Sequence, residues 1–155
     1  MAGYAIANES AQQALAAAYK TQSAVFGGAT LPRRGMLYEY TVGVNGSPPA
    51  DNELEIDIAR MTADGTGTAF TPNALDTADQ AAVSSGKIGY TAEPTVTANS
   101  FLDYFSMNQR ATVRWLAAPG SEFIFPATTA AGLVLRGKAA AYTGTMSSKL
   151  LFLER

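Results

Sequence analysis

Hydrophobic and polar positions alternate with a period of two along most of this chain. The clearest case is 53–61, where Leu54, Ile56 and Ile58 fall on one parity and Glu53, Glu55 and Asp57 on the other. Successive side chains of a strand point to opposite faces, so this pattern predicts a strand with one apolar and one polar face. Residues 36–44 repeat it, with Met36, Tyr38, Tyr40, Val42 and Val44 on one parity and Glu39 and Thr41 on the other. In 110–115, Ala111, Val113 and Trp115 alternate with Arg110, Thr112 and Arg114; Ala118-Pro119-Gly120-Ser121 then turns the chain ahead of Phe123-Ile124-Phe125. Pro119 presets φ at the first corner and Gly120 tolerates positive φ at the second, so 108–126 predicts a β-hairpin.

Further strands are predicted at 3–8, as a first edge strand, and at 87–92, 100–107, 132–138 and 145–153. Residues 10–19 are ambiguous. Gln12-Gln13-Ala14-Leu15-Ala16-Ala17-Ala18 has high helix propensity, yet Thr21, Val25 and Phe26 extend the chain just beyond it, and the strand-rich context favours a strand there. Gly27-Gly28, 31–35 and 45–49 read as loops. Pro48 and Pro49 keep the last of these out of any sheet interior. The Gly- and Thr-rich stretch 62–73 reads as a connection, and 76–82 as one short helix with Asp76 as N-cap and Asp79 near the positive end of its dipole. Eight or nine short strands with one small helix predict an all-β protein, an antiparallel β-sandwich that is jelly-roll-like if its connections are Greek keys.

Composition narrows the function classes. A chain of 155 residues is most simply one domain, 1–155, large enough to need no covalent staple. It has no cysteine, which removes disulfides and thiolate sites, and no histidine, which removes Ser-His-Asp triads and the commonest metal ligand. No cofactor or metal motif is present, and an enzymatic role is not predicted. With a net charge of −2 there is no basic face for nucleic acid. No basic-then-apolar leader is visible, and the Ala-rich run is far shorter than the ~20 residues of a membrane-spanning helix. Charged residues make up only 15% of the chain, and such a weakly charged surface suits packing against other proteins.

Two constellations carry candidate chemistry. Glu53, Glu55 and Asp57 sit on one strand face roughly 6.5–7 Å apart by the strand rise, a spacing open to a glycosidase-like pair or a hard cation. The sequence around them marks no groove and no calcium loop. The favoured expectation is therefore a solvated or interfacial face, ion-paired across strands with Arg110 and Arg114. The aromatics could stack on sugars if several were exposed, but their place on alternating strands assigns them to the core. Tyr38, Ile56, Val113, Trp115 and Phe123 are the expected core anchors, and truncating a buried Trp115 to alanine is expected to cost about 3–5 kcal/mol.

Several phrases resemble a family of small structural proteins of bacteriophages and prophages. They are Arg34-Gly35-Met36-Leu37-Tyr38-Glu39, Pro49-Ala50-Asp51-Asn52, Thr71-Pro72-Asn73-Ala74-Leu75-Asp76 and Ala92-Glu93-Pro94-Thr95. The most distinctive are Asn108-Gln109-Arg110-Ala111-Thr112-Val113-Arg114-Trp115 and Ala117-Ala118-Pro119-Gly120-Ser121-Glu122. The resemblance implies a jelly-roll-like capsid cement or decoration protein on the outer surface of the virion. It implies partners in the major capsid protein and in further copies of the chain, often as trimers, and it carries over no catalytic residue. Residues 1–30 match less well and are either edge strands or an arm reaching a neighbour. A tail, spike or neck component and a carbohydrate-binding sandwich remain open as alternatives.

Overall fold

The computed structural model describes residues 1–31, 33–46, 51–142 and 144–155, which form twelve strands and no helix. The strands are β1 (Gly3–Ala7), β2 (Lys20–Phe26), β3 (Gly35–Asn45), β4 (Glu53–Ala63), β5 (Thr66–Phe70) and β6 (Asn73–Ala74), followed by β7 (Ser85–Ala92), β8 (Thr95–Asn108), β9 (Val113–Leu116), β10 (Phe123–Phe125), β11 (Gly132–Lys138) and β12 (Thr145–Glu154). One antiparallel sheet runs β10-β3-β12-β1-β6, with β9 also on β3; the other runs β5-β7-β2-β11-β4-β8. The eight principal strands, counting β9 and β10 as one, alternate between the sheets along the chain except at β4 and β8, which pair within one sheet. Their neighbours are those of a jelly roll: β1 beside β12 beside β3, and β2 beside β11 beside β4 beside β8. The excursion between β4 and β8 widens both sheets, because β7 and β5 extend one beyond β2 while β6 covers β1 in the other.

Alternation explains the core. Leu54, Ile56 and Ile58 point inward from β4, meet Leu133 and Leu135 of β11 and Leu150 and Phe152 of β12, and are at most 1% exposed. Phe152 packs edge-on against Phe125 at 5.6 Å and tilted against Tyr4 at 5.7 Å. Gly35 lies under the Phe125 ring, where a Cβ would come within 2.0 Å of the aromatic carbons, so only glycine lets β10 lie flat on β3. Val134, on the opposite parity of β11, is also buried, in a smaller cluster with Ala24, Ala59, Met61 and Tyr90.

The expected hairpin at 108–126 is not formed. Both β9 and β10 pair with β3 and run in the same direction, Val113 to Leu116 opposite Val42 to Glu39 and Phe123 to Phe125 opposite Leu37 to Gly35. They are one edge strand interrupted by an outward excursion, which starts after Ala117 donates its N–H to the Tyr38 carbonyl at 2.8 Å. Within it Ser121 N–H reaches Ala118 O at 2.9 Å, and Gly120 has φ of 86°, so the turn geometry expected of Pro119 and Gly120 is present while the strand pairing is not.

Other expectations also change. The predicted helix at 76–82 is a single turn: Asp76 Oδ1 accepts the Ala78 N–H at 2.9 Å and Asp76 O the Asp79 N–H at 3.0 Å. Glu154 Oε1 takes the N–H groups of Val83 and Ser84 at 2.9 and 2.6 Å, and a helix that cannot propagate does not recover its nucleation cost. Residues 10–19 form neither helix nor strand beyond a bridge of Ala14 to Thr145, since Leu15 N–H is bound by Gly144 O and Ala16 O by Ala139 N–H. The stretch 62–73 contains β5 and the start of β6, so the strand total exceeds the expected eight or nine. Pro48 and Pro49 of the expected loop lie outside the described residues.

Phe152, fully buried between both sheets, should cost about 3–5 kcal/mol on truncation to alanine. Trp115 is half-buried, stacked between Tyr40 at 5.2 Å and Phe123 at 4.5 Å, and Trp115→Ala should cost about 2–3 kcal/mol. Urea unfolding of the two variants checks the order.

Candidate functional site

A cavity of about 380 Å³ opens on the outer face of the β8-β4-β11 layer, lined by Tyr19, Glu55, Asp57, Phe101 and Tyr104. Pairing explains how these residues come together. Glu55 and Asp57 lie on the outward parity of β4, opposite Lys138 and Arg136 of β11. On the other side Asp57 is opposite Tyr104 and Ala59 opposite Phe101. Two steps on β4 thus match three on β8, and the extra residue is Leu102. A strand without that bulge would send Phe101 and Tyr104 to opposite faces; with it both point outward, as bulges often re-aim side chains at functional surfaces. Phe101 is 49% and Tyr104 54% exposed, unusual for large rings on a sheet with a filled core.

The charged groups under the rings are already paired. Arg136 meets Asp57 through two bonds, Nε to Oδ1 at 2.9 Å and NH2 to Oδ2 at 2.5 Å, and its guanidinium lies over the Tyr19 ring at 4.6 Å. Glu55 Oε2 accepts from Tyr104 Oη at 2.8 Å, Lys138 Nζ at 3.0 Å and Tyr19 Oη at 3.4 Å. The Lys138 and Tyr104 contacts hold the Glu55 carboxyl below its ordinary value, whereas burial pushes Asp57 up against the opposing pull of Arg136. Tyr19 is raised by burial and by the neighbouring Asp57 and Glu55 carboxylates. This arrangement holds the rings in place. It does not resemble an acid and base flanking a scissile bond, because both carboxylates are tied to cations.

The structure separates the residues singled out in the sequence. Ile56 is wholly buried, while Val113, Trp115 and Phe123 are half-buried and pack on the core from the edge strand. Tyr38 sits outside the core, because β12 steps from Leu151 to Phe152 while β3 steps from Glu39 to Leu37. That bulge at Tyr38 reverses parity and gives the inward positions to Leu37, Tyr40 and Val42. Arg110 pairs with Asp51 at 3.2 Å and Arg114 with Glu39 at 2.6 Å. Neither arginine reaches the acidic row, whose cations come from β11. Glu53 is exposed at the start of β4. Sequence reasoning missed Tyr19, Phe101, Tyr104, Arg136 and Lys138 as a set. The one available signal was the shared parity of Arg136 and Lys138. Among the described residues no cluster of three or more metal-ligating side chains occurs.

Glu39 provides a pH test of the other sheet. Its side chain is only 5% exposed, and hydrogen bonds from Arg114 and then Lys149 outweigh burial and hold its carboxyl below the ordinary value of 4.5. A carboxyl lowered in the folded state stabilises above its unfolded pKa, and that contribution is lost as pH falls through the folded pKa. Glu39→Gln should therefore destabilise the protein near neutrality, and the gap to the unaltered chain should close as the pH falls from about 6 to about 3. Denaturation midpoints across that range check this, and a gap independent of pH is the contrary result.

No family model and no curated protein matches the chain. Among solved structures it is similar to a chain of Desmodium yellow mottle tymovirus, at 15% identity over 98% of this chain and 85% of that one, with a TM-score of 0.36. It is similar to a chain of Cocksfoot mottle virus at 12% identity over 97% and 92%, with a TM-score of 0.30. A chain from the Israeli acute paralysis virus full particle follows at 7% identity over 99% and 66%, with a TM-score of 0.25. At these scores the likenesses carry no argument about what this chain does.

Proposed function

We propose that this chain is a non-catalytic structural protein of a bacteriophage virion. It acts as one domain, a cement or decoration protein that binds the major capsid protein on the outer surface of the shell and stabilises it. In this reading it works as a homo-oligomer, most simply a trimer, whose repeated modest contacts add through avidity.

The observation that supports this is where one of the two most distinctive resembling segments lies. Residues 117–122 contribute nothing to the core. They form the excursion that leaves the β9-β10 edge strand, closed by the Ala118–Ser121 turn and by a bond from Gly120 N–H to Glu122 Oε1 at 3.2 Å. Leu116, at its base, is 59% exposed. A pre-ordered turn beside an exposed apolar side chain loses little entropy on docking, which is what a small interface needs in order to hold.

The test is co-sedimentation of the purified protein with shells of its phage that lack it. The unaltered chain should co-sediment and saturate the shells, and Leu116→Asp should lose at least about tenfold in affinity while its melting temperature is unchanged, because the side chain is exposed. A strict monomer that ignores the shells overturns the proposal. Density confined to the tail or neck in particle images moves it to a tail component.

A further inference from the structure

We infer that the cavity between Phe101, Tyr104 and Tyr19 is a binding site for a neutral saccharide. The inference stands on a different face from the edge-strand turn and does not rest on the virion reading.

Three features fix the ligand class. First, two exposed rings lie on one face only because the Leu102 bulge puts them there, and they flank a cavity of about 380 Å³, within the roughly 300–1,000 Å³ of small-molecule sites. The C–H face of a pyranose packs against the negative face of an aromatic ring, and flat rings at a cavity wall provide such a platform. Second, the site is pre-ordered: Tyr104 Oη is bound to Glu55, and Tyr19 lies beneath Arg136 at 4.6 Å and Lys138 at 4.9 Å. Little side-chain freedom is left to lose on binding. Third, the charges cancel locally. Asp57 is matched by Arg136, and Glu55 by Lys138.

That balance separates the ligand classes. A nucleic acid would also stack on the rings, but the two cations it needs for phosphate are engaged by carboxylates, and Glu53 adds a further negative charge on the same strand face. A purely apolar ligand would leave Glu55 desolvated without a new donor. Glu55 Oε2 gathers all three of its contacts, and Oε1 makes no hydrogen bond among the described residues while about 30% of the side chain stays exposed. A sugar hydroxyl donating to Oε1 while the ring rests on Phe101 and Tyr104 satisfies both requirements.

The full-length protein, in its native oligomeric state, is titrated with neutral gluco-, manno-, galacto- and xylo-oligosaccharides by calorimetry, and binding is mapped by saturation-transfer NMR. At least one should bind saturably. Phe101→Ala and Tyr104→Ala should each weaken it more than about tenfold. Tyr104→Phe, which keeps the ring and loses the hydroxyl bond, should weaken it less, and thermal melting should show all three variants folded. The inference is overturned if no neutral oligosaccharide binds, or if the bound one is indifferent to both alanine variants. It is also overturned if only anionic glycans or oligonucleotides bind with strong salt dependence, or if no sugar binds and Tyr104→Ala instead abolishes attachment to shells. The Leu116→Asp shell assay reads a separate surface, so either idea can fail alone.

Discussion

The two sheets are locked together by a small buried polar junction. Asn8, Gln22, Ser23 and Ser148 meet in the otherwise apolar gap, each 5% exposed or less. Asn8 Nδ2 donates to Met146 O at 2.8 Å and to Gln22 Oε1 at 3.3 Å, while Asn8 Oδ1 accepts the Ser148 N–H at 2.7 Å. Ser148 and Ser23 share a short hydroxyl contact across the gap. These groups are buried away from bulk solvent, so sliding β2 past β12 by one residue would strand several of them at roughly 1–3 kcal/mol each. Apolar side chains tolerate small shifts in register. This junction does not, and it sets which residues of both sheets face inward.

From the junction the polar network continues outward and explains the connections. Gln22 Oε1 also accepts the Gln13 N–H at 3.2 Å, and Gln13 Nε2 reaches Glu93 Oε1 at 3.0 Å, whose other oxygen takes the Thr21 N–H at 2.9 Å. Residues 10–19 are thereby drawn across the sandwich edge, and Tyr19 comes to rest over β11. On the opposite side of the sandwich four rings, Phe105, Tyr40, Trp115 and Phe123, stack in series at 6.4, 5.2 and 4.5 Å and close the gap between β8 and the edge strand. Tyr40 is tied to Asp103 of β8 by its hydroxyl. The aromatic cavity and the protruding turn thus sit on elements fixed from both sides, which is why each can present exposed apolar groups without local collapse.

What was legible in the sequence was whatever depends on alternation alone. The inward Leu54, Ile56 and Ile58 and the extents of β3, β4, β11 and β12 follow from period two, and the Pro119-Gly120 turn from local φ preferences. What was not legible depends on partners far along the chain. A turn flanked by two extended runs has the local signature of a hairpin, and only β3, with its free side long enough for both runs, decides that they line up end to end. The bulges at Tyr38 and Leu102 each invert a parity, moving Tyr38 out of the core and Phe101 out to the surface. Neither position carries a residue that announces a bulge. Helix propensity in 12–18 and 76–82 was real but short, and hydrogen bonds from Gly144, Ala139 and Glu154 outcompeted it. Arg114 and the acidic row share a polar parity, yet they lie in different sheets.

On the proposed reading, this jelly roll is a building part of a phage shell that docks through its interrupted edge strand. The most direct measurement is an electron-microscopy reconstruction of shells lacking the protein after incubation with it. The account predicts regularly repeated density across the outer lattice that fits this sandwich, with the 117–122 turn against the shell. Bare shells, or density that fits only with that turn facing solvent, would contradict it.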